Sequence, residues 1–166
     1  PPAPDCNAPA PLTPAMTEGP YYMPGSPERT SLVEQGSPGN RLTLTGFVLD
    51  ENCAPIPGAW IDFWQTDAAG SYDNTGYGMR GHQFTGDQGR YRLETVLPGL
   101  YPGRTSHIHV KVQAPGGPEL TTQLFVPGEP ANQSDRIFDE RLLMDLQEVG
   151  DGAYWAQYDF IVEGGE

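Results

Sequence analysis

The chain has 166 residues, a formal net charge of −13, and Lys111 as its one lysine. A charge of that sign repels nucleic acid and anionic lipid, and no apolar run is long enough to span a membrane, so neither nucleic acid nor a membrane is an expected partner. With 21 glycines and 18 prolines the chain disfavours long helices, and its length suits one hydrophobic core.

Residues 1–20 hold seven prolines and read as a Pro-rich leader that builds no structure by itself. Cys6 lies in it. The only other cysteine, Cys53, sits in the turn Asp50-Glu-Asn-Cys-Ala-Pro55. The even count and the polar turns around both thiols predict a Cys6–Cys53 disulfide that ties the leader down. In the chain-entropy model such a loop contributes about 4 kcal/mol at most. A disulfide implies an oxidising compartment. The sequence starts at Pro-Pro with no signal peptide in view, so the expectation is a mature or trimmed form of a secreted, extracellular protein.

Residues 21–166 read as a single domain. Short alternating runs bounded by Gly, Pro, Asn and Asp predict strands near 41–49, 59–65, 90–96, 107–113, 120–126 and 154–162. Ile137, Phe138, Leu142, Leu143 and Leu146 recur at roughly helical spacing, which predicts a helix within 135–149. The sum is an all-β antiparallel sandwich with long loops and little helix.

Two of the three histidines lie in the apolar run His107-Ile-His-Val-Lys-Val112. In a strand both imidazoles share a face. Such a pair is either a polar solvent face or a metal site, and imidazole suits zinc, copper, iron and nickel alike. A second run, Ala59 to Gln65, puts Trp60, Asp62 and Trp64 on one face and Ile61 and Phe63 on the other. The tryptophans read as packing, with no carbohydrate-binding strip of aromatics. Gly70 then turns the chain and presents Tyr72. Alone, Tyr72 is a turn tyrosine. Beside the histidines, Tyr72 and Tyr101 become candidate phenolate ligands. A phenol with a pKa near 10 ionises at neutral pH only next to a strong cation. Two phenolates and two imidazoles form a hard donor set that favours ferric iron.

The motifs then converge on one family. They are Thr17-Glu-Gly-Pro-Tyr-Tyr22, Leu44-Thr-Gly-Phe-Val-Leu-Asp50, Pro57-Gly-Ala59, Ile61-Asp-Phe-Trp-Gln65, Gly70-Ser-Tyr72, Gly89-Arg-Tyr-Arg92, Pro98-Gly-Leu-Tyr101, Arg104-x-x-His-Ile-His109 and Thr121-Thr-Gln-Leu-Phe125. Together they resemble the intradiol ring-cleavage dioxygenases, the family of catechol 1,2-, hydroxyquinol and protocatechuate 3,4-dioxygenases. Part of the pattern also occurs in non-enzymatic extracellular sandwiches similar to prealbumin, which makes a binding or structural domain without turnover the alternative reading. The resemblance implies a prealbumin-like fold, Fe(3+) held by Tyr72, Tyr101, His107 and His109, and a catechol-type substrate cleaved with O2. It further implies that Tyr101 is a releasable ligand and base, that Arg104 stabilises developing charge, and that Gln123 lines the pocket. Tyr22 and Tyr77 are expected at the substrate, with Tyr21 open between pocket wall and core. His82 reads as a surface loop residue. Tyr101 and His107 are only six apart, shorter than in better-known members, and the N-terminal helical region of catechol 1,2-dioxygenases is missing. The expectation is therefore an open pocket, broad substrate range and a monomer.

Overall fold

The computed structural model describes residues 6–165. Nine strands run in chain order: β1 Arg41–Leu49, β2 Trp60–Gln65, β3 Arg80–Phe84, β4 Arg90–Val96, β5 His107–Gln113, β6 Glu119–Phe125, β7 Asp145–Gly150, β8 Ala153–Gln157 and β9 Phe160–Ile161. They form two sheets. One has the order β4-β1-β8-β7, with β9 paired to the far end of β1; the other has the order β3-β2-β5-β6. The ladders are antiparallel except β1–β8 and β1–β9, which are parallel.

Strand alternation builds the core. Leu42, Leu44 and Val48 of β1 and Leu93 of β4 face Ile61 and Phe63 of β2 and Ile108, Val110 and Val112 of β5, all buried between the sheets. The odd-numbered residues of β5, His107, His109 and Lys111, therefore point outward from the four-stranded sheet. They are buried as well: the N-terminal segment lies over His109 and Lys111, and the loop bearing Tyr72 lies over His107.

Residues 10–22 form that cover. Ala10 N–H donates to Glu51 O, Thr13 N–H to Ile161 O and Met16 N–H to Thr121 O, each at 2.9 Å. Lys111 Nζ meets Glu18 at 2.7 Å and Glu119 at 2.8 Å. The segment is held along its length, in addition to the Cys6–Cys53 bridge, which is present.

Three expectations change. No helix spans 135–149. Asp135 and Asp139 each accept a hydrogen bond from the backbone N–H two residues on, which diverts the chain into turns. A short 3₁₀ turn, Glu140–Leu142, follows, and Leu146 enters β7. The run 154–162 is two strands, not one. Tyr158 O crosses over Gly46, where a side chain would collide with it, and Tyr91 Oη donates to the same oxygen at 2.6 Å. Asp159 Oδ1 meanwhile accepts from Phe47 N–H and replaces a ladder bond. Finally, 80–84 is a strand. His82 sits half-buried on it, with Nδ1 3.1 Å from Ser26 Oγ.

Replacing Cys6 and Cys53 with serine should lower unfolding free energy by up to about 4 kcal/mol. Guanidinium titration checks this, and a loss near zero would mean that the backbone bonds of the cover suffice.

Candidate metal centre

The outer face of the four-stranded sheet carries the candidate residues. His107 and His109 come from β5. Register places His109 opposite Trp64 of β2 and Gln123 of β6. Two loops reach over them: 66–79, after β2, carries Tyr72, and 97–106, before β5, carries Tyr101. Asp67 shapes the first loop by accepting from Ala69 and Ser71 N–H. The loops touch backbone to backbone at Gly70, whose φ of +88° and close approach to Leu100 O leave no room for a side chain.

Three donor atoms converge. Tyr72 Oη lies 3.2 Å from His107 Nε2 and 3.0 Å from His109 Nε2, and the two nitrogens are 3.1 Å apart. The centre of such a triangle is about 1.8 Å from each corner. A triangle of that size would admit a cation at the roughly 2.0–2.2 Å usual for imidazole and oxygen ligands.

The electronics agree. His107 Nδ1 is 2.7 Å from Thr105 O, which only accepts, so Nδ1 carries the proton and Nε2 offers its lone pair. Burial, with Arg104 second, holds the His107 imidazole down at about 4. Burial also pushes His109 well below its ordinary value, with His107 and then Arg104 adding to the effect. Both rings are therefore neutral near pH 7, as ligation requires. Among the described residues, His109 Nδ1 is buried without a partner. His109 therefore meets the other donors only through Nε2, which faces Tyr72 Oη and His107 Nε2. Burial pushes the Tyr72 phenol up to about 12 against the pull of Arg104. Among the described residues no three His, Cys, Asp or Glu side chains gather as a metal site, so a cation here depends on the phenol. The residues present fit a metal ion.

Tyr101 stands beside this triangle. Its ring centroid is 5.5 Å from that of Tyr72, and its Oη meets Tyr21 Oη at 2.5 Å. That bond, more than partial burial, raises the Tyr101 phenol. Tyr21 also packs on Tyr72 at 4.6 Å, and Arg80 holds the Tyr21 carbonyl in place. Tyr21 is thus the tyrosine of the Tyr21–Tyr22 pair that touches both phenols. Neighbours in extended chain point opposite ways, and the sequence does not say which faces the site. Tyr22 points to the other side. Its Oη donates to buried Asp62 at 2.8 Å, and its ring packs on Trp64, which stacks flat on His109 at 4.7 Å. One indole separates Tyr22 from the donors. Tyr77 is at the rim, with its Oη on Pro24 O and no contact to the donors among the described residues.

Arg104 is fixed from two sides. Its Nε donates to Asp135 Oδ2 at 2.8 Å and its Nη2 to Gln123 Oε1 at 2.6 Å. Gln123 Nε2 in turn donates to Thr17 O at 2.9 Å. Asp135 is invisible to sequence reasoning, since nothing local ties it to a segment 31 residues earlier. Burial raises its carboxyl, but the Thr105 and Ile137 N–H groups and Arg104 together outweigh that and hold it below the ordinary range.

The outer sheet face thus gathers two neutral imidazoles and one loop-borne phenol around one point, with a second phenol beside them. The family model described as dioxygenase matches residues 17–164. The chain is 32% identical to catechol 1,2-dioxygenase of Acinetobacter baylyi, over 84% of this chain and 55% of that one. It is 30% identical to hydroxyquinol 1,2-dioxygenase of a Rhizobium species, over 87% of this chain and 62% of that one. A solved dioxygenase domain, from a dioxygenase–carbohydrate-binding fusion of Streptomyces sp. SirexAA-E, superposes with TM-score 0.90 at 52% identity, covering 93% of this chain and 99% of that one. The chain belongs to the intradiol ring-cleaving dioxygenase family. It spans little more than half to three fifths of the length of the two curated relatives.

Asp135→Ala should leave the Thr105 and Ile137 N–H groups and one face of Arg104 without an acceptor. Urea titration is expected to report a loss of about 2–3 kcal/mol.

Proposed function

We propose that this chain is a non-heme Fe(III) intradiol dioxygenase that opens catechol-type diols between the two hydroxyl-bearing carbons, with O2, to cis,cis-muconate-type products. The donor triangle of Tyr72, His107 and His109 is the observation that carries the reading, and family membership supports it. The alternative, a binding or structural sandwich without turnover, has no use for a phenol and two imidazoles gathered within about 3 Å of one another on a buried sheet face.

Tyr72, Tyr101, His107 and His109 would hold the iron. Ferric iron in that set would supply Lewis acidity that makes both hydroxyls of a bound diol acidic and lends charge density to the ring. The protein's own groups do the rest. Thr105 O keeps His107 in the tautomer that offers Nε2, and Trp64 fixes the plane of the His109 ring. As a phenolate, Tyr101 would be the group to take a diol proton at Oη, which is half-exposed and lies against Tyr21 Oη. The Arg104 guanidinium, held by Asp135 and Gln123, presents a preorganised positive charge to developing negative charge beside the imidazoles. Both ends of the Gln123 amide are engaged, so it acts here by positioning Arg104. The half-exposed phenol side of the site favours an open mouth and a broad range of ring substituents.

Iron-loaded protein should be red to burgundy, from tyrosinate bound to ferric iron, with one iron per chain by elemental analysis. His107→Ala and His109→Ala should each lose the band and the metal, and retention in both would sink the ligand assignment. Arg104→Ala should keep the colour while oxygen uptake falls about 10²–10³-fold. Over a panel of 3- and 4-substituted catechols, hydroxyquinol and protocatechuate, comparable rates are expected for several diols. A yellow semialdehyde product would mean cleavage beside the diol and would overturn the reaction.

We also propose an extracellular location, which the Cys6–Cys53 bridge supports. Thiol-trapping mass spectrometry on protein from its native source checks it, and two free thiols there would overturn it.

A further inference from the structure

A groove of about 700 Å³ lies away from the donor triangle. It lies on the outer face of the other sheet, with the core between the two. Leu42, Leu44, Leu93 and Ala156 point into that core, so the residues alternating with them form the outer face. Register sets these in rows across β4, β1, β8 and β7. One row is Glu94, Thr43, Trp155 and Gln147, the next is Arg92, Thr45, Gln157 and Asp145, and Arg90 and Phe47 begin a third. At about 4.8 Å between strands a row of four spans roughly 14 Å.

Trp155 is 46% exposed at the middle of this face. The Arg92 guanidinium lies over its ring at 5.3 Å and fixes the indole, while Arg90 lies over the buried Phe47 ring at 5.0 Å. Charge on the face cancels. Arg92 is paired with Glu94, and Arg90 and Asp145 contribute one charge of each sign. The side chains of Gln147, Gln157, Thr45 and Asp145 make no hydrogen bond among the described residues, and the Arg90 Nε–H is buried without an acceptor.

A fixed indole ringed by uncommitted amides, a hydroxyl and a carboxylate, at zero net charge, suits a ligand with an apolar C–H face and hydroxyl edges. A pyranose ring has both. An anion finds no net positive charge here, in a chain carrying −13. A purely apolar ligand would desolvate the amides without replacing their hydrogen bonds. We infer that this face is a glycan-binding surface, which takes a short stretch of a neutral polysaccharide across the four strands with Trp155 as its stacking platform. The inference stands apart from the dioxygenase reading, since no residue is shared.

The test is native affinity electrophoresis in gels containing hydroxyethyl cellulose, xylan or glucomannan, followed by calorimetry with cellohexaose and xylohexaose. The wild-type chain should be retarded by at least one neutral glycan. Trp155→Ala should weaken association at least tenfold and Gln147→Ala several-fold, with thermal unfolding and any catechol-dependent oxygen uptake unchanged. If Trp155→Ala misfolds, Gln147→Ala and Gln157→Ala decide. No retardation by any neutral glycan overturns the inference, and so does equal retardation of the variants. Binding only to carboxymethyl cellulose would mean an anion site. A wild-type dimer in light scattering that Trp155→Ala dissociates would mean a self-interface. Either result also overturns the inference.

Discussion

Strand β5 is buried on both faces, and the site depends on that burial. Its even-numbered residues, Ile108, Val110 and Val112, fill the sandwich core. Its odd-numbered ones would ordinarily meet water. Here His109 and Lys111 are covered instead by the N-terminal segment, and His107 by the loop that carries Tyr72. Removing water from two imidazoles disfavours their protonated forms, which makes them neutral donors. It also leaves their lone pairs without solvent to satisfy them. A cover that merely packed well would produce a strained polar pocket. With Tyr72 brought in by the loop at Gly70, the same desolvation becomes a coordination geometry.

The cations near the site follow the same logic in two ways. Arg104 has a carboxylate, Asp135, as its counter-charge, and an amide, Gln123, as its second brace. Arg80 is 2% exposed, and its hydrogen-bond acceptors are the carbonyls of Tyr21 and Asp73 and the Asn74 side chain. It buries a positive charge to fix two backbone segments that border the phenols. The field at Tyr72 is therefore positive from two directions, and this partly offsets the effect of burial on that phenol. One guanidinium is braced but reachable, and the other is locked into the framework.

The strands were legible wherever period-two alternation ran uninterrupted, as in β1, β2, β4, β5 and β6. The donor residues were legible because His107 and His109 lie two apart on one strand and because turn-forming glycine precedes Tyr72. What stayed hidden has a common physical cause. Strand β3 reads Arg-Gly-His-Gln-Phe, and its buried polar residues are satisfied by distant partners that no local pattern reports. The apparent helical spacing in 135–149 is genuine. Two aspartates override it with side-chain-to-backbone bonds that composition does not weigh. Asp135, Tyr21 and the Thr105 carbonyl support the site through contacts that exist only once the loops are folded. The sequence also could not say that the Pro-rich leader becomes a wall of the site through Thr17 O.

That wall joins residues far apart in the chain. Thr13 binds Ile161, Thr17 binds Gln123, and β1 pairs in parallel with strands at the C-terminal end. Few of these contacts are local, and loop-closure entropy makes such topologies slow to form. During synthesis, the cover emerges before the strands it binds and must wait for β6 and for β9 before it can dock. The imidazole face stays wet until the cover closes over it. Enclosure of the donor residues thus depends on contacts between segments more than 100 residues apart.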